Sequence, residues 1–184
     1  LLAGVRNANK GKKMRYFVVC PTSVIYHWEE LLKKFLPEFR VVVFYGTQRT
    51  LKAFNSSADV LLTSYGTLRS EKQALSKITF EVAILDEIQT AKNMQSQTHH
   101  SLTLLKARTK IGLTGTPIEN RLLELKALFD VVLPGYLPSQ AQYRELFVNP
   151  IEKMGDPDKK MLLSRLIQPF LMRRKKSEVL DDLP

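Results

Sequence analysis

The chain has 184 residues, of which 44 % are hydrophobic and 25 % charged, a composition typical of a folded globular domain. No stretch approaches the roughly 20 consecutive apolar residues of a membrane span, and the opening residues lack the organisation of a signal peptide. The net charge of +10 favours polyanionic partners, because a basic surface attracts phosphates and releases counterions on binding. The lone Cys20 cannot form an internal disulfide, which favours a reducing compartment.

Short apolar segments alternate with helical patterns along the first 135 residues. Five segments have the composition of buried strands, and they lie at 16–20, 40–44, 60–63, 82–85 and 110–114. Helical periodicity fills the gaps, and it is clearest at 24–35, 101–107 and 122–133. Continuous apolar strands separated by helices predict a mostly parallel sheet covered on both faces, which is a doubly wound α/β fold.

The pattern changes after Pro134 and Gly135. Residues 136–184 contain no convincing strand and have the pattern of two or three helices, of which 161–167 is the clearest. We therefore expect two parts, an α/β lobe over residues 1–135 and a C-terminal helical extension over residues 136–184.

Two adjacent carboxylates end the fourth predicted strand. Asp86 and Glu87 directly follow the apolar run 82–85, and ligands of open α/β sheets bind at the carboxyl ends of strands. A carboxylate there can hold Mg²⁺, directly or through water, while a second orients and deprotonates a water molecule. Nucleotide hydrolysis needs this arrangement. A solvated acidic turn has the same local composition, so these residues alone leave both interpretations open.

Small hydroxyl residues follow the first, third and fifth predicted strands. Each such segment by itself is an ordinary loop or cap, and Trp28, in the helix after the first strand, has the position of a core residue. Because the carboxyl ends of parallel strands meet at one edge of a sheet, we expect these side chains to converge with the two carboxylates. The converging hydroxyl residues are Thr22, Ser23, Thr63, Ser64, Thr114 and Thr116.

Five segments of the chain carry a family resemblance. They are 17–28 (FVVCPTSVIYHW), 62–68 (LTSYGTL), 84–93 (ILDEIQTAKN), 113–120 (LTGTPIEN) and 171–184 (LMRRKKSEVLDDLP). In this order, and near this spacing, they resemble the Swi/Snf-type ATPases of helicase superfamily two. The resemblance covers nearly the whole chain. It implies a RecA-like first motor lobe, ATP and Mg²⁺ as cofactors, and ATP-driven movement along double-stranded DNA without sequence preference.

The resemblance also implies roles for single residues. Asp86 would serve the Mg²⁺ site, and Glu87 would activate the attacking water. Gln89 stands where the family often has histidine. A glutamine can still link the nucleotide to neighbouring loops, but it excludes any role that needs a titrating imidazole.

Two further groups of residues match family motifs. Thr114, Gly115 and Thr116 would couple hydrolysis to movement. A second group would contact the backbone of the tracked DNA strand, and it consists of Pro21, Thr22, Ser23, Thr63, Ser64 and Tyr65.

The phosphate-binding loop of the family is absent from these 184 residues. Gly11-Lys12-Lys13 does not replace the G-x-x-x-x-G-K-[ST] pattern, because the upstream glycine and the following Ser or Thr are missing. The resemblance implies that the chain begins just after this loop and that the second motor lobe of the same protein follows Pro184. We therefore expect the chain alone to hydrolyse ATP no faster than background.

Two alternatives stay open. One is a DEAD-box RNA helicase lobe. Such enzymes have motifs similar to Pro-Thr-Arg-Glu-Leu and Ser-Ala-Thr, whereas this chain has PTSVI at 21–25 and TGT at 114–116. A non-catalytic DNA-binding or scaffold domain is the other, and the carboxylate pair argues against it for the whole protein.

We expect a location in the bacterial cytoplasm and nucleoid, or in the nucleus if the protein is eukaryotic. The adjacent His99 and His100 predict a polar helix face rather than a metal site.

Overall fold

The computed structural model describes residues 2, 4, 14–115 and 121–173. The chain divides into two compact units, Leu1–Leu137 and Pro138–Pro184. Within the described residues, the first unit contains a five-stranded sheet and the second contains helices without a strand. The predicted α/β fold with a mostly parallel sheet is confirmed.

The sheet of the first unit has a switch point at its centre. Its strands are β1 (Tyr16–Cys20), β2 (Val41–Phe44), β3 (Val60–Ser64), β4 (Thr79–Asp86) and β5 (Lys106–Leu113). All neighbouring strands are parallel, in the order β2-β3-β1-β4-β5. The chain leaves β1 toward β2 on one side, whereas it leaves the adjacent β4 toward β5 on the other. A crevice at the carboxyl ends of β1 and β4 is therefore the expected place for a ligand.

Side chains of β1 alternate between two apolar clusters. Phe17 and Val19 pack into one cluster, while Tyr16, Val18 and Cys20 pack into the other. All five are at most 1 % exposed. A strand buried on both faces needs an uninterrupted apolar sequence, which explains why the sequence pattern identified β1 with its observed bounds.

Helices lie between the strands of the first unit and after the last strand. They are α1 (Ile25–Phe35), α2 (Lys52–Ser56), α3 (Tyr65–Ser70), α4 (Lys72–Leu75), α5 (Gln97–Leu104) and α6 (Leu122–Val132), with 3₁₀ turns at Thr22–Val24 and Ile88–Ala91. The helix expected at 101–107 begins earlier, because the Ser96 hydroxyl caps it by accepting a hydrogen bond from the His99 amide at 3.1 Å. It also ends earlier, because β5 begins at Lys106.

One close contact joins β5 to the turn after β4. A Cβ at Gly112 would lie 2.6 Å from Cδ1 and 3.0 Å from Cγ2 of Ile88, a residue only 3 % exposed. A methyl group at position 112 would therefore displace the residue that follows Glu87.

The second unit consists of α7 (Gln140–Tyr143), a π-helix (Arg144–Lys153), α8 (Pro157–Ile167) and a 3₁₀ turn (Gln168–Phe170). Ser139 and Gln142 form a capping box at the start of α7. Asp156 caps α8 through the amides of Asp158 and Lys159, and Pro157 occupies its first turn. The helix expected at 161–167 is thus the C-terminal part of α8.

Candidate active site

Asp86 closes β4 at the switch point, and three neighbours fix it. The indole Nε1 of Trp28 donates to Oδ2 at 2.8 Å, and the amide of Glu87 donates to Oδ1 at 3.1 Å. The hydroxyl of Tyr65 donates to the backbone carbonyl of Asp86 at 2.7 Å. Each carboxylate oxygen of the half-buried Asp86 therefore has one hydrogen-bond donor among the described residues and keeps further acceptor capacity.

Glu87 has a backbone conformation that few residues of its type adopt. Its φ of 52° and ψ of 50° lie in the left-handed region, and it is the one non-glycine residue with positive φ among those described. This conformation costs roughly 1–2 kcal/mol. The carbonyl of Glu87 accepts from the amide of Thr90 at 3.1 Å and from its hydroxyl at 3.0 Å, which holds the turn in place. Backbone strain of this kind clusters at functional sites.

Gln89 holds the Glu87 carboxylate. Its Nε2 donates to Oε2 of Glu87, while its own Oε1 is buried and has no hydrogen-bond partner in the part of the chain that the structure describes. A buried carbonyl oxygen without a donor is uncommon, since it loses its hydration without replacement. The side chain thus fixes one functional group and leaves an acceptor unused.

Trp28 is a site residue that the sequence pattern did not identify. We expected a core residue, and its ring does pack against an apolar cluster. However, its indole N–H reaches a carboxylate 58 positions away in sequence. A buried tryptophan N–H usually finds an acceptor, so a partner was to be expected, but only the topology identifies it as Asp86.

The polar residues at the end of β3 lie in the interior. The Thr63 hydroxyl donates to the Phe44 carbonyl at 2.7 Å, and the Ser64 hydroxyl accepts from the Thr67 amide at 3.1 Å and so caps α3. Thr63 and Ser64 are at most 1 % exposed, and Tyr65 is 7 % exposed. Their hydroxyl groups are thus hydrogen-bonded within the protein, and the contact with DNA expected of these three residues stays a prediction.

The residues after β1 differ from those after β3. Thr22 and Ser23 are exposed in the 3₁₀ turn that opens α1, and Pro21 is half-buried before them. At the end of β5, Thr114 is half-buried and Gly115 is exposed. Thr116 lies outside the described residues, as do most of the basic residues near both ends of the chain.

Two other titratable groups near these elements are buried. Burial, with a smaller effect of the Asp86 charge, raises the pKa of Cys20 to about 12, so its thiol stays neutral. His99 is buried too, and its Nε2 lies 3.2 Å from the Ala127 carbonyl. The expected polar helix face is therefore wrong for His99, although His100 is exposed. Burial lowers the pKa of His99.

The donor set at the switch point fits Mg²⁺. This ion is usually bound by one or two carboxylates, several waters and substrate phosphates rather than by an all-protein cage. Within the described ranges no group of three His, Cys, Asp or Glu side chains could hold a metal. Asp86 offers a carboxylate with unused lone pairs, and Glu87 stands beside it with its own carboxylate.

A family model for the SNF2-related domain matches residues 2–184. The chain belongs to this family. The predicted Swi/Snf assignment is confirmed, and it takes precedence over the DEAD-box alternative.

Several relatives of this SNF2-related domain are known. It is 38 % identical over 179 residues to YwqA of Bacillus subtilis (strain 168), and the match covers 94 % of this chain and 19 % of YwqA. It is 34 % identical over 181 residues to the TATA-binding protein-associated factor MOT1 of Saccharomyces cerevisiae (strain ATCC 204508 / S288c), covering 91 % of this chain and 10 % of MOT1. The chain thus spans less than a fifth of the length of either relative.

A solved structure has the same fold. The Sulfolobus solfataricus SWI2/SNF2 ATPase core in complex with dsDNA matches with a TM-score of 0.86 at 33 % identity, over 99 % of this chain and 38 % of that one. The first unit of this SNF2-related domain is therefore a RecA-like α/β lobe. None of its described helices has the length and apolar character to cross a membrane. The bacterial location stays a prediction.

Proposed function

We propose that this chain supplies most of the first motor lobe of an ATP-driven translocase on double-stranded DNA. The observation that carries the proposal is the switch-point edge, where Asp86 and Glu87 stand side by side and Glu87 has a left-handed backbone. The likeness to an ATPase core solved with dsDNA supports it. The protein would remodel or displace DNA-bound proteins without necessarily separating the strands.

The chemistry would be divided between neighbouring side chains. Asp86 would hold Mg²⁺, directly or through water, in the orientation set by Trp28 and the Glu87 amide. When bound, the ion neutralises charge on the transferring phosphate. Glu87 would orient the attacking water and take its proton, while Gln89 keeps the Glu87 carboxylate aimed at it.

The coupling of hydrolysis to movement would come from the residues that follow β5. These residues are Thr114, Gly115 and Thr116. The phosphate-binding loop would lie outside these 184 residues, since the sequence contains no G-x-x-x-x-G-K-[ST] pattern. The second motor lobe would lie outside them too, since the chain covers only 38 % of the SWI2/SNF2 ATPase core.

DNA would be contacted through its phosphates at the start of α1. Thr22 and Ser23 offer exposed hydroxyls there, and the first turn of a helix offers free amides that suit phosphate oxygens. Phosphate contacts carry no sequence information, so binding should be non-specific. The internal bonds of Thr63, Ser64 and Tyr65 make their predicted part in this contact less favourable, and it stays a prediction.

Assays of ATP hydrolysis and of movement along duplex DNA with the full-length protein test this function. We expect ATP hydrolysis that rises at least about tenfold with duplex DNA, and displacement of a third strand from a triplex, which reports movement along the duplex. Hydrolysis that ignores DNA, or that responds to RNA alone, would contradict the proposal. The isolated chain should hydrolyse ATP at background rate and bind duplexes in the range of about 10⁻⁴ to 10⁻⁶ M with strong salt dependence.

A further inference from the structure

Trp28 is the single tryptophan of the chain, and its bond to Asp86 crosses the switch point. The donor belongs to α1, which follows β1, and the acceptor ends β4. These two strands are the adjacent pair from which the chain leaves in opposite directions. The bond thus ties the helix that follows β1 to the carboxylate that ends the adjacent β4.

Trp28 controls the orientation of the Asp86 carboxylate. The only other hydrogen bond to this carboxylate among the described residues comes from the amide of the next residue, Glu87. That amide fixes one oxygen and leaves rotation of the group open. The indole at 2.8 Å from Oδ2 fixes the second oxygen, so the direction of the remaining lone pairs depends on where α1 lies.

The same helix begins at the exposed hydroxyl residues. Ser23 precedes Trp28 by five residues, which at about 1.5 Å per residue is about 8 Å along the axis. Ile25 and Leu32 anchor the helix in the core and are at most 5 % exposed. A helix anchored in this way moves as a rigid element. Displacement of its first turn by bound DNA would therefore also displace Trp28.

We propose that Trp28 is a positioning residue that couples DNA contact at the start of α1 to the metal-binding geometry of Asp86. This inference rests on the proposed function. Coupling between two binding sites is reciprocal, so DNA and the Mg²⁺–ADP complex should change each other's affinity by the same factor. Removal of the indole N–H should reduce that factor, and it should weaken metal-dependent nucleotide binding even without DNA.

The test measures binding rather than turnover. Fluorescently labelled ADP is titrated into the full-length protein with Mg²⁺ or with EDTA, each with and without a 40-base-pair duplex. The variants are Trp28→Phe and, as a control on an exposed face of the same helix, Tyr26→Phe; Tyr26 is 64 % exposed. Replacement of Trp28 by 3-benzothienylalanine removes only the N–H and keeps the ring shape, so it answers the question even if Trp28→Phe folds poorly.

We expect both Trp28 variants to bind Mg²⁺–ADP about tenfold more weakly, in line with the loss of a hydrogen bond to a charged group. Binding of ADP in EDTA should stay unchanged, and the effect of DNA on Mg²⁺–ADP affinity should fall at least about threefold. Tyr26→Phe should match the wild type throughout.

Three results would overturn the inference. Variants that match the wild type would show that the N–H has no role. Equal weakening with and without Mg²⁺ would indicate general loosening of the site rather than positioning. An unchanged effect of DNA would remove the coupling. A wild-type protein without coupling between DNA and Mg²⁺–ADP would overturn the inference as well, whereas hydrolysis that does not respond to DNA would contradict the proposed function, on which the inference rests.

Discussion

The ends of β3 and β4 flank β1 at the same edge of the sheet, yet their polar residues have different surroundings. At the end of β3, the hydroxyls of Thr63 and Ser64 are buried and bonded to Phe44 and to the start of α3. After β4, the carboxylates are half-buried and Glu87 has a strained backbone. The end of β3 uses its polar atoms to hold the fold together, whereas the turn after β4 leaves acceptors free for a ligand.

This difference shows that polar residues at strand ends are not equivalent. A buried hydroxyl with an internal partner adds stability and offers little to a ligand. A carboxylate with unused lone pairs beside a strained turn costs stability, and the energy is recovered only when something binds. Substitutions at the end of β3 should therefore lower mainly the free energy of unfolding, whereas substitutions of Asp86 and Glu87 should lower mainly catalytic turnover.

The largest effect is expected at Glu87. In the full-length protein, Glu87→Gln should lower DNA-stimulated turnover by at least about 10²-fold, because it removes the base that takes the proton from water. MgATP affinity and the free energy of unfolding should stay close to the wild type, since the side chain keeps its size. Steady-state hydrolysis and equilibrium titration with labelled nucleotide measure the two quantities.

Asp86→Asn is the matched variant. It should weaken Mg²⁺-dependent nucleotide binding as well as turnover, because the metal loses its charged ligand. Wild-type turnover in Glu87→Gln would show that the turn after β4 is not the catalytic one.

Gly112→Ala should have the next largest effect. The new methyl group meets the buried Ile88, so we expect a loss of about 1–3 kcal/mol in the free energy of unfolding and reduced turnover, because the turn at Glu87 shifts. Urea denaturation and a hydrolysis assay test this. Gly66→Ala in α3 is the control, since its Cβ would have only ordinary contacts and alanine favours a helix by up to about 1 kcal/mol. Equal stability of the two variants would contradict the close contact.

The smallest effects are expected when Thr63 at the end of β3 is compared with the exposed 3₁₀ turn after β1. Thr63→Val should cost about 1–2 kcal/mol of stability, since it leaves the Phe44 carbonyl without its donor, and should change DNA affinity less than about twofold. The double substitution Thr22→Ala and Ser23→Ala should do the reverse and weaken two unrelated duplexes about equally. Fluorescence anisotropy and thermal unfolding give both readouts. A large loss of DNA affinity in Thr63→Val would support the DNA contact predicted for that residue.

The sequence predicted β1, β2 and β3 to within one residue at each end, whereas it placed the starts of β4 and β5 three and four residues too late. β1 and β3 are buried on both faces, so their apolar runs mark them. β5 begins at Lys106 rather than at the expected residue 110, because its first residues are polar or small. The apolar pattern that identifies a buried strand is therefore missing from its first half.

The candidate site was predicted in part for a related reason. Asp86 and Glu87 directly follow an apolar strand, so local sequence is enough to place them at the carboxyl edge. The bonds from Trp28 and Tyr65 to Asp86 span 58 and 21 positions, and only the strand order brings them together. Local sequence also could not show that Thr63 and Ser64 are enclosed, because this depends on the neighbouring strands β1 and β2.

The most direct test of the account is a crystal structure of the full-length Glu87→Gln protein with ATP, Mn²⁺ in place of Mg²⁺, and duplex DNA. We expect the anomalous signal of Mn²⁺ next to the Asp86 carboxylate, bound directly or through one water, with the terminal phosphate facing residue 87. We also expect DNA phosphates at Thr22 and Ser23. Metal and phosphates bound away from the carboxyl ends of β1 and β4 would contradict the account.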